Sequence, residues 1–215
     1  MGFIMPKYQK NIYPGFPVKS GDDLGAILEL SGTTREEIAM IEGEYYAGEN
    51  ERLAVPIGNT YHTVLVTGDK QVTVEDLVIL LNFSDITDGK YTYQLYAYIE
   101  GSNRNTWSYT GGTATTLGTP LNCALVNQVG NAGIVGNVNA TVTGVRDFNI
   151  HYASVYIDNS GNRESLTETR NSFFTQDRRI IVPPHTKVLF EAVTSGDAVG
   201  TADVSTQIFT IESDI

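Results

Sequence analysis

Phe16–Ile57 reads FPVKSGDDLGAILELSGTTREEIAMIEGEYYAGENERLAVPI, and the fold class turns on how these residues divide between helix and strand. Pro17 and Val18 open an extended segment that stops at the turn pair Ser20-Gly21. A carboxylate at Asp22 or Asp23 can cap a first helix, and Leu24, Ile27 and Leu28 at i, i+3 and i+4 give it one apolar face. Gly32 suits a left-handed helix stop. Thr34 to Glu37 is a capping box that starts a second helix, with Ile38 and Ile41 as its stripe and Gly43 at its end. Leu53-Ala54-Val55-Pro56 reads as a short closing strand, where proline is tolerated at an edge or terminus. The pattern predicts a βααβ unit with Leu24, Ile27, Leu28, Ile38, Ile41 and Leu53 as core. A unit of that size leans on a neighbour for stability.

The order of these motifs resembles the LysM family. Val18-Lys19-Ser20-Gly21-Asp22-Asp23-Leu24 matches the family's opening, Gly32-Thr33-Thr34 with Glu36-Glu37-Ile38 its second helix, and Leu53-Ala54-Val55-Pro56 its close. The chain departs from the family at Ile41-Glu42-Gly43, where an Asn usually follows the second helix. The resemblance implies a βααβ fold and a groove for N-acetylglucosamine polymers between the first turn and the loop after the second helix. Carried over by position, the glycan-binding residues are Ser20, Gly21, Asp22, Asp23 and Leu24, then Glu42, Gly43, Glu44 and Tyr45. Tyr45 would supply a stacking face. LysM-like modules also recur in phage tails and baseplates as assembly adaptors.

Outward from this stretch the chain changes character. Met1–Gly15 carries Pro6 and Pro14 and reads as an extended arm or, equally, as a frayed terminus. Tyr8, Ile12, Tyr13 and Phe16 have little chance of forming a core of their own, and burial against another chain best explains their apolar surface. On the C-terminal side Tyr61–Val66 reads as a strand and Thr67-Gly68-Asp69-Lys70 as a hairpin turn. Thr73–Leu81 fits a helix or a strand, with its β-branched residues favouring strand. Lys90–Glu100, Asn149–Ile157, Arg178–Val182, Thr186–Val193 and Gln207–Glu212 read as further strands. Gly130, Gly133 and Gly136 lack the Lys-Ser/Thr of a phosphate loop and read as turns and glycine-kinked strands. Asp158–Asn162 lacks the later Glu of a calcium loop and reads as a hairpin loop. The expected class is α+β, mostly β: an arm over 1–15, a LysM-like module over 16–58, and an antiparallel β-sandwich-like domain over 59–215.

The formal charge of −11 opposes a nucleic-acid surface, which needs a basic patch to release counterions. Cys123 is the sole cysteine, so no intramolecular disulfide forms; it lies in an apolar-polar run with no His near it in sequence and reads as a buried, inert thiol. The apolar run Leu77–Leu81 is too short to span a membrane, and the N-terminus lacks the apolar core of a secretory signal. His62, His151 and His185 have no metal-ligand spacing and read as surface or satisfied β residues. No catalytic cluster, cofactor or metal is expected. These features favour a non-enzymatic structural component of a phage particle, in the tail or baseplate ahead of the capsid surface. Its partners would be itself, as a homo-oligomer, and other virion proteins, and it would be assembled in the host cytoplasm. The alternative is a peptidoglycan- or chitin-binding protein acting through the module.

Overall fold

The computed structural model describes residues 39, 42–100, 105–110, 113–114, 121–123, 129–146, 148–158, 160, 162–170 and 179–214. Every named element in them is a strand. In chain order these are β1 (Tyr45–Pro56), β2 (Thr60–Val66), β3 (Gln71–Asn82), β4 (Gly89–Ile99), β5 (Asn105–Thr110), β6 (Thr113–Ala114) and β7 (Leu121–Asn122). Then follow β8 (Gly133–Gly144), β9 (Phe148–Ile157), β10 (Arg163–Arg170), β11 (Ile180–Val182), β12 (Lys187–Gly196) and β13 (Thr201–Ser213). They build a five-stranded sheet, β11-β3-β13-β1-β7, and an eight-strand sheet running β10-β9-β4-β12-β2-β8-β5 with β6 also paired to β8.

The sheets pack face to face because both carry period-2 apolar alternation. In β13 Ala202, Val204 and Ile208 point inward, and in β3 Val72, Val74, Leu77 and Ile79 do. Across from them lie Tyr91, Tyr93, Leu95 and Ala97 of β4 and Val188, Phe190 and Ala192 of β12, in one continuous core. The ambiguous run at Thr73–Leu81 is a strand, and β-branched residues pack well on such a pleated, half-buried surface.

The α+β class and the LysM-like module are overturned. The supposed loop and short closing strand of that module, Glu44–Pro56, are instead dominated by one long strand, β1. It pairs with the C-terminal strand β13 from Tyr45 opposite Ile211 to Pro56 opposite Thr201, and with β7 on its other side. The segment thus belongs to a large sheet rather than to a two-stranded hairpin under two helices. The two helices expected over Asp22–Ile41 lie outside the described residues except at Ala39, and so do the arm and Ser20–Leu24. Ala39 and Glu42 have helical backbone. Gly43 follows at φ 76°, and the Glu44 N–H donates to the Ala39 carbonyl at 2.8 Å. This is a left-handed stop of the kind that ends a helical turn.

Five bulges interrupt the described ladders, and three of them bear on the sites below. Leu53 and Ala54 together oppose Asp203, Asn137 is an extra residue in β8 opposite β2, and Glu75 is an extra residue in β3 opposite β13. The last re-aims Glu75 into a buried position, where Arg179 pairs with it. The turn at Thr67–Lys70 is not a hairpin, because it carries the chain from β2 in one sheet to β3 in the other. Cys123 is exposed, against the expectation of a buried thiol. It follows β7, a two-residue strand at the edge of its sheet.

Candidate interaction faces

The five-stranded sheet turns one face to the core; on the other, Glu51, Leu53, Leu80 and Asn82 are exposed, while Glu49, Val78, Ser205 and Gln207 are half-buried. Register sets that outer face in rows across β3, β13 and β1. Val78, Gln207 and Glu49 form one row, and Leu80, Ser205 and Glu51 the next. The bulge then places Leu53 beside Asp203 and Asn82. Leu80 is 53% exposed and Leu53 63% exposed. Beside Leu80 lies a groove of about 310 Å³, lined also by Glu51, Leu81, Asn82, Asp203, Val204 and Ser205.

The electrostatics of this face are one-sided. Glu49, Glu51, Asp76 and Asp203 bring four carboxylates. The single basic residue on these stretches, Arg52, turns away. Its guanidinium lies 5.1 Å from the centre of the Tyr61 ring, and its Nη1 donates to Asn137 Oδ1 at 3.0 Å. Two carboxylates are held in place. Asp203 Oδ1 accepts from the Ala54 N–H at 2.8 Å, and Glu49 accepts from the Ser205 hydroxyl.

The upper end of this face is covered. Tyr45 stacks on Phe209 with ring centres 6.1 Å apart, and Ala39 and Ile211 complete a small apolar cluster. The glycan-binding residues expected from the sequence divide accordingly. Gly43 and Tyr45 are buried, Glu44 is half-buried and Glu42 is exposed. The Tyr45 ring already stacks within its own chain and lies 8% exposed. Burial raises the carboxyl pKa of Glu42, and that of Glu44 with help from the Glu42 charge. Tyr8, Ile12, Tyr13 and Phe16 lie outside the described residues.

The outer face of the eight-strand sheet was not anticipated. Val64, Leu189, Tyr96, Tyr98 and Val138 form a second apolar cluster there, flanked by Trp107 and Tyr109 of β5. In it sits Glu191, directly opposite His62 on β2 and Tyr96 on β4. Tyr98 donates to Glu191 Oε2 at 2.8 Å, Arg146 Nε lies 3.4 Å from the same oxygen, and His62 Nε2 lies 3.5 Å from Oε1. Hydrogen bonding from His62, then Tyr98 and the Arg146 charge, holds the Glu191 carboxyl below its ordinary range despite burial. Burial first, then its bond to Glu191, pushes the Tyr98 hydroxyl up to about 12. Arg146 also lies 3.6 Å over the Tyr96 ring, a cation–π contact. Every ionisable group here has a partner, so the centre fastens the β8–β9 connection to the sheet. The only sequence signal was alternation: His62, Glu191, Tyr96 and Tyr98 all fall on the non-core positions of their strands.

Two other loops read from the sequence have their polar groups spoken for. The amides of Asn131 and Ala132 in the glycine-bearing segment donate to the buried Glu212 carboxylate at 2.6–2.9 Å. A carboxylate in that position disfavours phosphate. Asp158 Oδ1 accepts from the amides of Ser160 and Asn162 at 3.0 and 2.7 Å, which lowers its pKa. No helix among the described residues is long and apolar enough to cross a membrane.

No protein-family model matches the chain, and no curated protein matches it. Among solved structures, the CBM2 module of the evolved Dit of Lactobacillus casei BL23 phage J-1 aligns at 12% identity over 80% of this chain and 70% of that one. Its TM-score is 0.14, so the likeness carries no argument.

Proposed function

We propose that this protein is a non-enzymatic structural component of a phage particle, a tail, baseplate or other virion assembly protein. The observation that carries the reading is the lower end of the outer face of the five-stranded sheet, where Leu53 and Leu80 are exposed and Leu80 lines a groove with Glu51 and Asp203. Apolar side chains grouped on an open sheet face and rimmed by charge mark a surface that a neighbour completes. The Ser/Thr/Asn/Gly-rich, Lys-poor composition suits the β domains of viral fibres and baseplates. Partners are further copies of this chain and other virion proteins, in a particle assembled in the host cytoplasm. Light scattering on the purified full chain, with immunogold labelling of particles, tests it. Multimers and labelled particles are expected. A monomer at every concentration, missing from particles, overturns it.

A second reading has its own observation. Trp107 and Tyr109 stack at 6.2 Å and 28°, and Lys187 Nζ stands 5.4 Å from the Tyr109 ring centre. Paired rings beside a charged hydrogen-bonding group suit a saccharide, the ligand class of a peptidoglycan- or chitin-binding protein. Trp107 is the only tryptophan, so its fluorescence reports this face directly. Saturable quenching by chito-oligosaccharides, lost in Tyr109→Ala, favours this reading. A flat titration removes it.

A further inference from the structure

We propose that the groove on the outer face of the five-stranded sheet binds the Met1–Ser20 segment of a second copy of this chain; this rests on the assembly reading above and names its contact. Three observations converge on that occupant.

The first is where the described chain begins. Ala39 packs on Tyr45, Phe209 and Ile211 at the upper end of this same face. The 38 residues before it are therefore tethered at the rim of the surface they would serve. Among the described residues nothing covers Leu80 and Leu53, which are more than half exposed. A partner copy is the source that covers them.

The second is charge. Met1–Ser20 contains Lys7, Lys10 and Lys19 and no Asp or Glu. In a chain of net charge −11 it is the conspicuous cationic stretch, and the groove face presents Glu49, Glu51, Asp76 and Asp203 with no outward Lys or Arg among them. Opposite potentials steer encounter and fix register. The third is shape and hydrophobicity. Tyr8, Ile12, Tyr13 and Phe16 are large apolar side chains on a segment interrupted by Pro6, Pro14 and Pro17. Proline disfavours helix and holds the backbone extended. An extended cationic segment with spaced rings fits a shallow channel walled by Leu80 and lined by carboxylates.

The test uses the full chain with Cys123→Ser to remove the native thiol. One preparation carries Tyr13→Cys and a second carries Leu80→Cys, a site that tolerates the thiol because Leu80 is exposed. The two are mixed and oxidised. Tyr13→Cys mixed with Tyr156→Cys, on the other sheet, is the control. A disulfide-linked heterodimer forming at least tenfold faster than the control is expected. Reversing charge with Lys7→Glu and Lys10→Glu should weaken association about tenfold, and Glu51→Lys should restore part of it. No cross-link above the control overturns the proposal, as does a cross-link formed only within one chain when both cysteines share it. Multimers that persist without the cross-link overturn this contact and leave the assembly reading standing. A protein monomeric throughout overturns both.

Discussion

At the scale of single residues, the sheet bulges show where chemistry is forced on the backbone. Ala54 has φ 52°, a left-handed conformation that costs an L-residue about 1–2 kcal/mol. The Asp203 carboxylate, accepting from the Ala54 amide, holds it there. Ala54→Gly relieves the steric part and should raise stability by about 0.5–1 kcal/mol in urea melts. Unchanged or lower stability would mean that the bulge carries no strain. Glu191 gives a pH prediction. Its pKa is depressed in the fold, so its contribution is present above the unfolded carboxyl value, near pH 4.3, and is lost as pH falls through the folded value. Glu191→Gln should cost about 1–3 kcal/mol at neutral pH and flatten the acid limb of the stability profile. An acid limb as steep as in the unsubstituted protein would assign that sensitivity elsewhere. His62 was legible only as a surface or satisfied β residue, because its partner Glu191 lies far along the chain and no local spacing encodes a cross-strand pair.

At the scale of elements, strands were readable and their partners were not. Lys90–Glu100, Asn149–Ile157 and Thr186–Val193 alternate strongly, and each is a strand. Alternation reports that one face is buried, without reporting which sheet does the burying. The chain from β1 to β4 changes sheet at every turn, and so do the steps from β11 to β13. A turn such as Thr67–Lys70 therefore looks like a hairpin and is a crossover. The same limit misplaced Leu53–Pro56. Its strand character was correct, but it ends the long strand β1 rather than closing a small module, and its partner is β13 near the far end of the chain, which short-range motifs cannot name. The crossover from β12 to β13 shows what such a link demands. Gly196 has φ +128°, and a Cβ there would lie 2.0 Å from the Lys90 carbonyl oxygen. That carbonyl accepts from the amides of Asp197 and Ala198, so it cannot retreat without losing them. Gly196→Ala should cost well over about 1 kcal/mol. Gly58→Ala, at φ +80° with nothing within 4 Å, carries backbone strain alone and should cost less. Equal losses in thermal melts would show that the close approach is not what fixes Gly196.

At the scale of the whole molecule, the apolar clusters that hold the described fold together are built from Ala39 onward. Met1–Gly15 lies outside the described residues. That segment holds Tyr8, Ile12 and Tyr13, whose burial would be worth about 25 cal/mol for each Å² of apolar area removed from water. On the proposed assembly, the arm buries that area against a neighbouring copy rather than in its own sandwich. Deleting Met1–Gly15 should leave the unfolding midpoint within about 2–4 °C of the full chain, the shift that about 1 kcal/mol produces at this size. The same deletion should reduce the protein to a monomer by light scattering. Added salt should weaken association of the full chain in the same direction, because Lys7 and Lys10 meet exposed carboxylates whose attraction is screened over about 8 Å at physiological ionic strength. A truncated chain that assembles at the same concentration as the full one would move the contact from the arm to the body of the sandwich. A truncated chain that unfolds would show that the arm closes its own domain.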